Sequence, residues 1–406
     1  MADSKVRANM LNLSGDYPFT GSVTGHVADG SITAAKLSGT ISASKLTGAL
    51  PALDGSALTG LAGITKNASD PAINTNPSGG VGTLWANTTS GEMFVCTDAT
   101  AGANVWTNVG PGTGNIQLWA FGGTVSGYTM GGGGGGGGEL NSIQKWSFAS
   151  QGNSTQVSDL TQTRNHCNGN QSTTYGYTYG GNHPKLITFE KFSFAAGTDS
   201  AFVANMTQAS NYGSTSSSET HGYYSNGQDS HNGIIDKNSF ASDVDSTLVG
   251  SCEFSRDHGA GTSSETHGYD HGGGGGGDKD KIQKYSFVTD GNSTNIGILT
   301  VGRPAVAGCS SESYGFCAGG NLVPMNDIID KYSFVTDGNA SDVGNLIGGP
   351  WGYRAGASSR THGYVTGGYP PANRNEIEKW VFASQGNSTD VGDLVESTMA
   401  HAGCHV

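Results

Sequence analysis

Charge is scarce in this 406-residue sequence: Asp, Glu, Lys and Arg make up 13%, against about 25% in ordinary globular chains. Leu, Ile, Val and Phe together account for under a fifth. Low hydrophobicity suggests disorder only when net charge is high, and −13 over 406 residues is about 0.03 per residue. A run of 18 apolar residues is absent, which excludes a transmembrane helix, and the opening MADSKVRANMLNLSGDYPFTG has no apolar signal core. Cys96, Cys167, Cys252, Cys309, Cys317 and Cys404 form no C-x-x-C pair. That argues against a zinc knuckle or disulfide scaffold and leaves buried, apolar roles. Twenty Lys and Arg, thinly spread at a pI near 5.1, argue against nucleic acid as a ligand. Glycine is abundant, 67 residues, yet it does not recur at every third position, so collagen is excluded.

A repeat organises most of the chain. IQKWSF (143–148), FEKFSF (189–194), IDKNSF (235–240), IQKYSF (282–287), IDKYSF (329–334) and IEKWVF (377–382) are variants of one strand. Their last Phe residues step by 46, 46, 47, 47 and 48, and their apolar–polar alternation has the period of a half-buried strand. A Gly-Tyr/Phe strand ending in small residues recurs in step: SGYTMGG (126–132), YGYTYGG (175–181), HGYYSNG (221–227), HGYDHGG (267–273), YGFCAGG (314–320) and HGYVTGG (362–368). Hairpin signals SQGNST, TDGNST, TDGNAS and SQGNST follow four of the SF strands, with Gly-Asn suited to a tight turn. Units of about 47 residues holding three or four short strands fit propeller blades. The region opens with a Gly-Tyr strand and closes with an SF strand plus TMAHAGCHV. These two half-units add to one shared blade, making six in an all-β ring. The double Gly after an aromatic strand resembles the kelch motif over residues 114–406.

The N-terminal region differs. Ile32, Lys36, Leu37 and Gly39 return nine residues later as Ile41, Lys45, Leu46 and Gly48. One apolar residue in four or five cannot close a core in one short chain, so 31–63 is expected to be a flexible linker or, preferably, a thin stem of three wound chains. Within 64–113, strands are expected around Leu84–Trp85, Met93–Cys96 and Val105–Trp106, separated by Thr-Ser-Gly and Thr-Ala-Gly turns.

The Leu-Thr-Gly stem, LWANTTSGEMFVCTDATAGANVW (84–106) and repeats such as IEKWVFASQGNSTDVGDL (377–394) with Thr-His-Gly-Tyr together resemble marine bacteriophage tail-fibre or other virion appendage proteins. The resemblance implies a virion-attachment segment at 1–30 that meets other tail proteins, a homotrimer, and a distal host-binding domain at 114–406. The expected function is adhesion to a host-surface glycan or protein, located on the virion, without membrane insertion. The alternatives are a polysaccharide-degrading appendage enzyme and a structural head-fibre or decoration protein.

Segments between the Gly-Tyr strand and the next SF strand vary most: 131–142, 182–186, 227–233, 270–281, 321–327 and 369–376. Variable loops on a rigid scaffold commonly carry binding residues. Tyr179, His183, Asp229, His231, Asp270, His271, Tyr369, Asn373 and Arg374 are the candidates for sugar hydrogen bonding and stacking. The polyglycine runs 131–138 and 272–277 lack the Lys-Ser/Thr and helix of a phosphate loop, and are expected to be packed or flexible loops. His221, His267 and His362 recur in Thr-His-Gly-Tyr, but Ser126, Tyr175 and Tyr314 replace them elsewhere, so a structural role is preferred to a metal site. Asn-x-Ser/Thr at Asn153, Asn292, Asn339 and Asn387 is read as turn chemistry, and Asp290 and Asp337 lack calcium-loop spacing. G-x-S-x-G, H-E-x-x-H and a sialidase box are absent. Asp229, Asp270, Glu139 and Glu376 are the carboxylates left for a glycoside-cleaving role. Neither cofactor nor metal is expected.

Overall fold

A glycine faces an aromatic ring in five of the six repeats, and this pairing builds the walls of the fold. In the computed structural model, which describes residues 63–109, 121–182, 184–227, 233–275, 278–321 and 326–406, the register pairs Gly127 with Trp146, Gly176 with Phe192, Gly268 with Tyr285, Gly315 with Tyr332 and Gly363 with Trp380. A Cβ at any of these glycines would lie closer than 3.0 Å to the opposite ring. The Gly-Tyr motif therefore meets a packing need: the ring lies flat across its neighbour. The sixth pair is Gly222 with Asn238, and there the Tyr179 hydroxyl fills the space and donates to Asn238 Oδ1 at 2.8 Å.

The described residues are all-β without a helix, arranged as several small antiparallel sheets. One repeat shows the pattern: strands Asn168–Gln171, Tyr175–Tyr179, Thr188–Ser193 and Ala201–Asn205 pair in chain order. Four-stranded sheets follow from Ser214–Ser217, Asp257–Ser263 and Ala307–Ser310, each the first strand of its repeat. Ala355–Ser358 opens the next set, which joins Ser126–Gly134 through Thr398↔Gly134 and Met399↔Gly133. The C-terminal strand Ala402–His405 pairs with the other half of Ser126–Gly134, from Ala402↔Met130 to His405↔Gly127. The two ends of the repeat region thus share one sheet, as the half-units imply.

Simple alternation does not describe the SF strands. Ile282 and Gln283 are consecutive and both buried, as are Ile329 and Asp330, and Ile377 and Glu378. At this point the pairing shifts register in every repeat, because the fourth strand carries one extra residue: Val157, Val203, Val249, Ile296, Val343 or Val391. This bulge turns the apolar residue toward the core clusters. In four repeats the residue after it is Gly250, Gly297, Gly344 or Gly392, whose Cβ would strike the backbone of Gly291, Gly338, Gly386 or Gly152 in an adjacent repeat.

The hairpin turns do more than reverse the chain. Positive φ falls on Gln151, Asp290, Asp337 and Gln385 and on the Gly after each. The Asn that follows accepts a backbone N–H from the neighbouring repeat: Asp393 to Asn153, Ser251 to Asn292, Ile298 to Asn339 and Asn345 to Asn387, at 2.9–3.2 Å. Asp290 and Asp337 bind Lys237 (3.0 Å) and Lys284 (2.6 Å) of the preceding repeat. The recurring Asn-x-Ser/Thr is a latch between repeats.

Polyglycine 131–138 is mostly strand and turn: Gly132 and Gly133 pair with Leu140 and Glu139, and Gly272–Gly274 belong to His267–Gly274. The small module at 65–108 has the three expected strands, as Leu84–Asn87, Met93–Asp98 and Val105–Asn108, and a fourth, Thr65–Asn67, added in parallel. Trp85, Phe94, Cys96 and Trp106 form its core, the two indoles edge to face at 5.8 Å. Residues 1–30 and the stem through 62 lie outside the described residues.

Gly315→Ala is expected to destabilise by about 2 kcal/mol or more through the clash with Tyr332. Gly136→Ala, whose Cβ meets nothing within 4 Å, should stay within about 0.5 kcal/mol. Urea unfolding of the two variants checks the pair; equal costs would contradict this account of the glycines.

Candidate functional site

The site grows from a backbone feature repeated before each first strand. His166, Tyr212, His258, Ala305, Tyr353 and Ala400 all have positive φ, between 52° and 60°, an arrangement that costs a non-glycine residue about 1 kcal/mol or more. Each turns its N–H toward the carbonyl of the equivalent residue one repeat earlier. Tyr212 donates to His166 (3.1 Å), His258 to Tyr212 (2.8 Å), Ala305 to His258 (2.7 Å), Tyr353 to Ala305 (2.9 Å) and Ala400 to Tyr353 (2.8 Å). His166 donates to Ala400 at 2.6 Å, and the chain of bonds returns to its start.

A second series of bonds runs at the opposite ends of the same strands. Gln171 N–H donates to Ser217 Oγ (3.3 Å), Ser217 to Ser263 (2.9 Å), Ser263 to Ser310 (3.0 Å) and Ser310 to Ser358 (2.9 Å). Ser358 N–H reaches His405 Nδ1 (3.2 Å), and the His405 ring lies 3.1 Å from the Gln171 side-chain amide. Because Nδ1 accepts, the His405 proton sits on Nε2 and is donated to the Phe121 carbonyl at 2.6 Å. Between the cycle and this series, Gly169, Gly261, Gly308, Gly356 and Gly403 let first strands approach: a Cβ at each would strike backbone of the adjacent first strand. A cavity of about 90 Å³ runs along these strands.

At the backbone cycle, four side chains gather. His166 and Tyr212 rings lie 4.0 Å apart and Tyr212 and His258 3.8 Å, while Tyr353 stands edge-on to His258 and His166 at 5.7 and 6.0 Å. All four are half-buried. They border a mouth of about 60 Å³ that Asn168, Arg354 and His401 also line. Asn165 Oδ1 and Asp257 Oδ1 hold His166 Nδ1 and His258 Nδ1, each at 2.9 Å. Burial pushes the Tyr212 phenol up to about 12, aided by Tyr353 and Asp257. The double glycines sit at this same end, since Tyr179, just before Gly180, pairs with Asn168 at the start of the first strand. The variable segments therefore begin at this end of the strands.

Three proposed loop residues are interior instead. Tyr179 ends a strand, is 1% exposed and stacks on Phe189 at 5.1 Å. Asp270 and His271 lie within His267–Gly274 and are fully buried. Asp270 meets Arg256 at 3.5 Å, accepts from Ser214 at 3.2 Å and also accepts from Asn226. His271 Nδ1 lies 3.0 Å from the Tyr332 hydroxyl. The reason is common to all three: strand pairing extends past the Gly-Tyr motif, and adjacent repeats cover both faces. Tyr369 remains partly exposed at the edge, bridged to Gly352. Asn373 donates to the Gly133 carbonyl at 2.7 Å, and Arg374 pairs with Glu376 above the Trp351 ring. His183, Asp229 and His231 lie outside the described residues. His221, His267 and His362 contact the hydroxyl of the preceding Thr at 2.8 Å each. Among the described residues, no cluster of three or more His, Cys, Asp or Glu is placed to hold a metal.

The mouth residues carried a sequence signal that the Gly-Tyr and SF motifs overshadow: His-Gly-Ala-Gly-Thr-Ser (258–263), Ala-Val-Ala-Gly-Cys-Ser (305–310), Tyr-Arg-Ala-Gly-Ala-Ser (353–358) and Ala-His-Ala-Gly-Cys-His (400–405) form a third repeated motif.

Buried imidazoles give the wall a pH dependence. Burial lowers His271 and His401 to about 3 and His405 to about 4, while the unfolded chain titrates near 6.5. Between those limits the unfolded chain binds more protons, so stability must fall as pH falls below about 6.5. Asp236, raised by burial, opposes this only in the acid range. The melting temperature is expected to drop by roughly 10 °C or more from pH 7 to 4.5, and a flat profile by scanning calorimetry would contradict neutral burial of these rings. No protein-family model matches the chain, and no curated protein does.

Proposed function

We propose that the repeats close into a six-bladed, kelch-like propeller forming the adhesive head of a virion fibre. One backbone hydrogen-bond cycle that returns to its first residue, and a second series that passes through all six first strands, support six-fold closure, as does the sheet shared by the chain ends. Residues 1–30 would attach to other tail proteins, and 31–63 would wind into a homotrimeric stem below the small module. The head would contact a host-surface glycan or protein.

One observation carries the adhesive reading. The positions that recur between repeats are engaged in joining repeat to repeat, through glycine contacts, Asn latches and the serine series. The segments joining second to third strands recur in place but not in sequence. A scaffold that holds six dissimilar segments at one end of its strands suits recognition. Three such heads on a trimer would add avidity from weak contacts. A depolymerase gains less support: Asp270 is paired with Arg256 in the interior and Glu376 with Arg374. A head-fibre or decoration role without receptor binding is the remaining alternative.

Exchanging residues 227–233 and 275–280 for unrelated loops of equal length leaves the buried Asp270 and His271 in place. Host adsorption should fall at least tenfold while particle assembly is unchanged. Undiminished adsorption would overturn the adhesive reading, and release of reducing sugar from host polysaccharide would replace it with an enzymatic one.

A further inference from the structure

The six equivalent positions around the mouth are not filled alike. Ala305 and Ala400 show that the positive-φ position and its hydrogen-bond cycle need no large side chain. His166, Tyr212, His258 and Tyr353 nevertheless place four rings there, at positions where a bulky side chain with positive φ is unfavourable. Since alanine serves the same backbone bonding at two positions, rings kept at the other four point to use.

Polar groups at the same place lack partners. Arg354 is 5% exposed and lines the mouth; its Nη1 binds Glu378 at 2.6 Å, while Nη2 and Nε have no hydrogen-bond partner. His401, also 5% exposed, uses Nε2 on Thr366 at 2.8 Å and leaves Nδ1 unpartnered. Asn168 Oδ1 is buried and unpartnered too. Buried polar atoms are nearly always satisfied in native proteins; others in the described interior are unpartnered too, but these three residues also line an opening, where a ligand or water would complete the bonding. Aromatic faces beside unsatisfied donors and acceptors match the surface of a sugar ring, with its C–H face for stacking and its hydroxyls for polar contacts.

We propose that this mouth is a saccharide subsite, seating the terminal residue of a glycan against Tyr212 and Tyr353, with its hydroxyls toward His166, His258 and the Asn168–Arg354–His401 floor. This rests on the adhesive reading and names the position within the head where the glycan end is held. The variable segments would then meet the following residues of the chain.

The test uses the full chain and a panel of methyl glycosides: glucose, galactose, mannose, N-acetylglucosamine and glucuronic acid. Saturation-transfer NMR should detect at least one of them, and Tyr212→Ala/Tyr353→Ala should weaken it by about tenfold, the equivalent of about 1.4 kcal/mol. Because Ala already occupies two equivalent positions, this variant should keep the parent's circular dichroism and melting temperature. Tyr212→Phe/Tyr353→Phe, which retains the stacking faces, should bind within about threefold of the parent. Absence of binding by every glycoside, or binding unaffected by the alanine pair, would overturn the proposal. So would a melting temperature lowered in the alanine variant with binding retained, since the rings would then be a plug. Normal host adsorption by the alanine pair, with adsorption lost on loop exchange, would remove the subsite and leave adhesion standing.

Discussion

First strands of successive repeats run so close that a backbone N–H of one reaches a carbonyl or hydroxyl of the next, and most other features of the molecule follow from that spacing. It requires glycine at 169, 261, 308, 356 and 403, where a Cβ would collide with the neighbouring strand. It also requires a positive-φ turn before each strand to aim the N–H at the adjacent repeat. An individual bond of this kind contributes about 1 kcal/mol. The C-terminal segment is essential to both sets of bonds, supplying Ala400 to the cycle and His405 to the second series.

The same closeness accounts for an interior that is unusually polar for so uncharged a chain. At three of the four third-strand acids an arginine answers inside: Arg164 with Glu190, Arg303 with Asp330 and Arg354 with Glu378, all buried. Where that strand carries Gln283, Arg256 turns to Asp270 instead. Asp236 has no arginine and is held by Thr207, through its hydroxyl at 2.6 Å and its N–H at 2.8 Å. Such pairs add little net stability over apolar packing, but removing one partner leaves a buried charge that costs several kcal/mol. They therefore favour a single arrangement of each repeat. Aromatic rings lying over glycines supply the apolar burial that aliphatic side chains provide elsewhere.

The two ends of the first strands differ in chemistry. At one end serine hydroxyls and His405, bonded to Phe121, join the first strands; at the other lies a mouth of imidazole and phenol rings. Motifs that resemble sites in isolation belong to the scaffold. The Asn-x-Ser/Thr asparagines latch repeats, the turn aspartates Asp290 and Asp337 bind lysines, and the histidines of Thr-His-Gly-Tyr meet the preceding threonine.

Periodicity alone determined the repeat, its length, its strands and the completion of the first sheet by the chain's last strand, because each repeat must satisfy the same local pairing and the sequence records that demand every 47 residues or so. It also located the variable segments. It could not determine which residues within them are free, since Tyr179, Asp270 and His271 look like loop residues until the extended strand pairing and neighbouring repeats cover them. Nor could it assemble the mouth. His166, Tyr212, His258 and Tyr353 are 46 residues or more apart, and chemically unlike, and converge only because a backbone cycle brings equivalent positions together. Local patterns are written in neighbouring residues, whereas convergence about a common centre depends on contacts between distant ones.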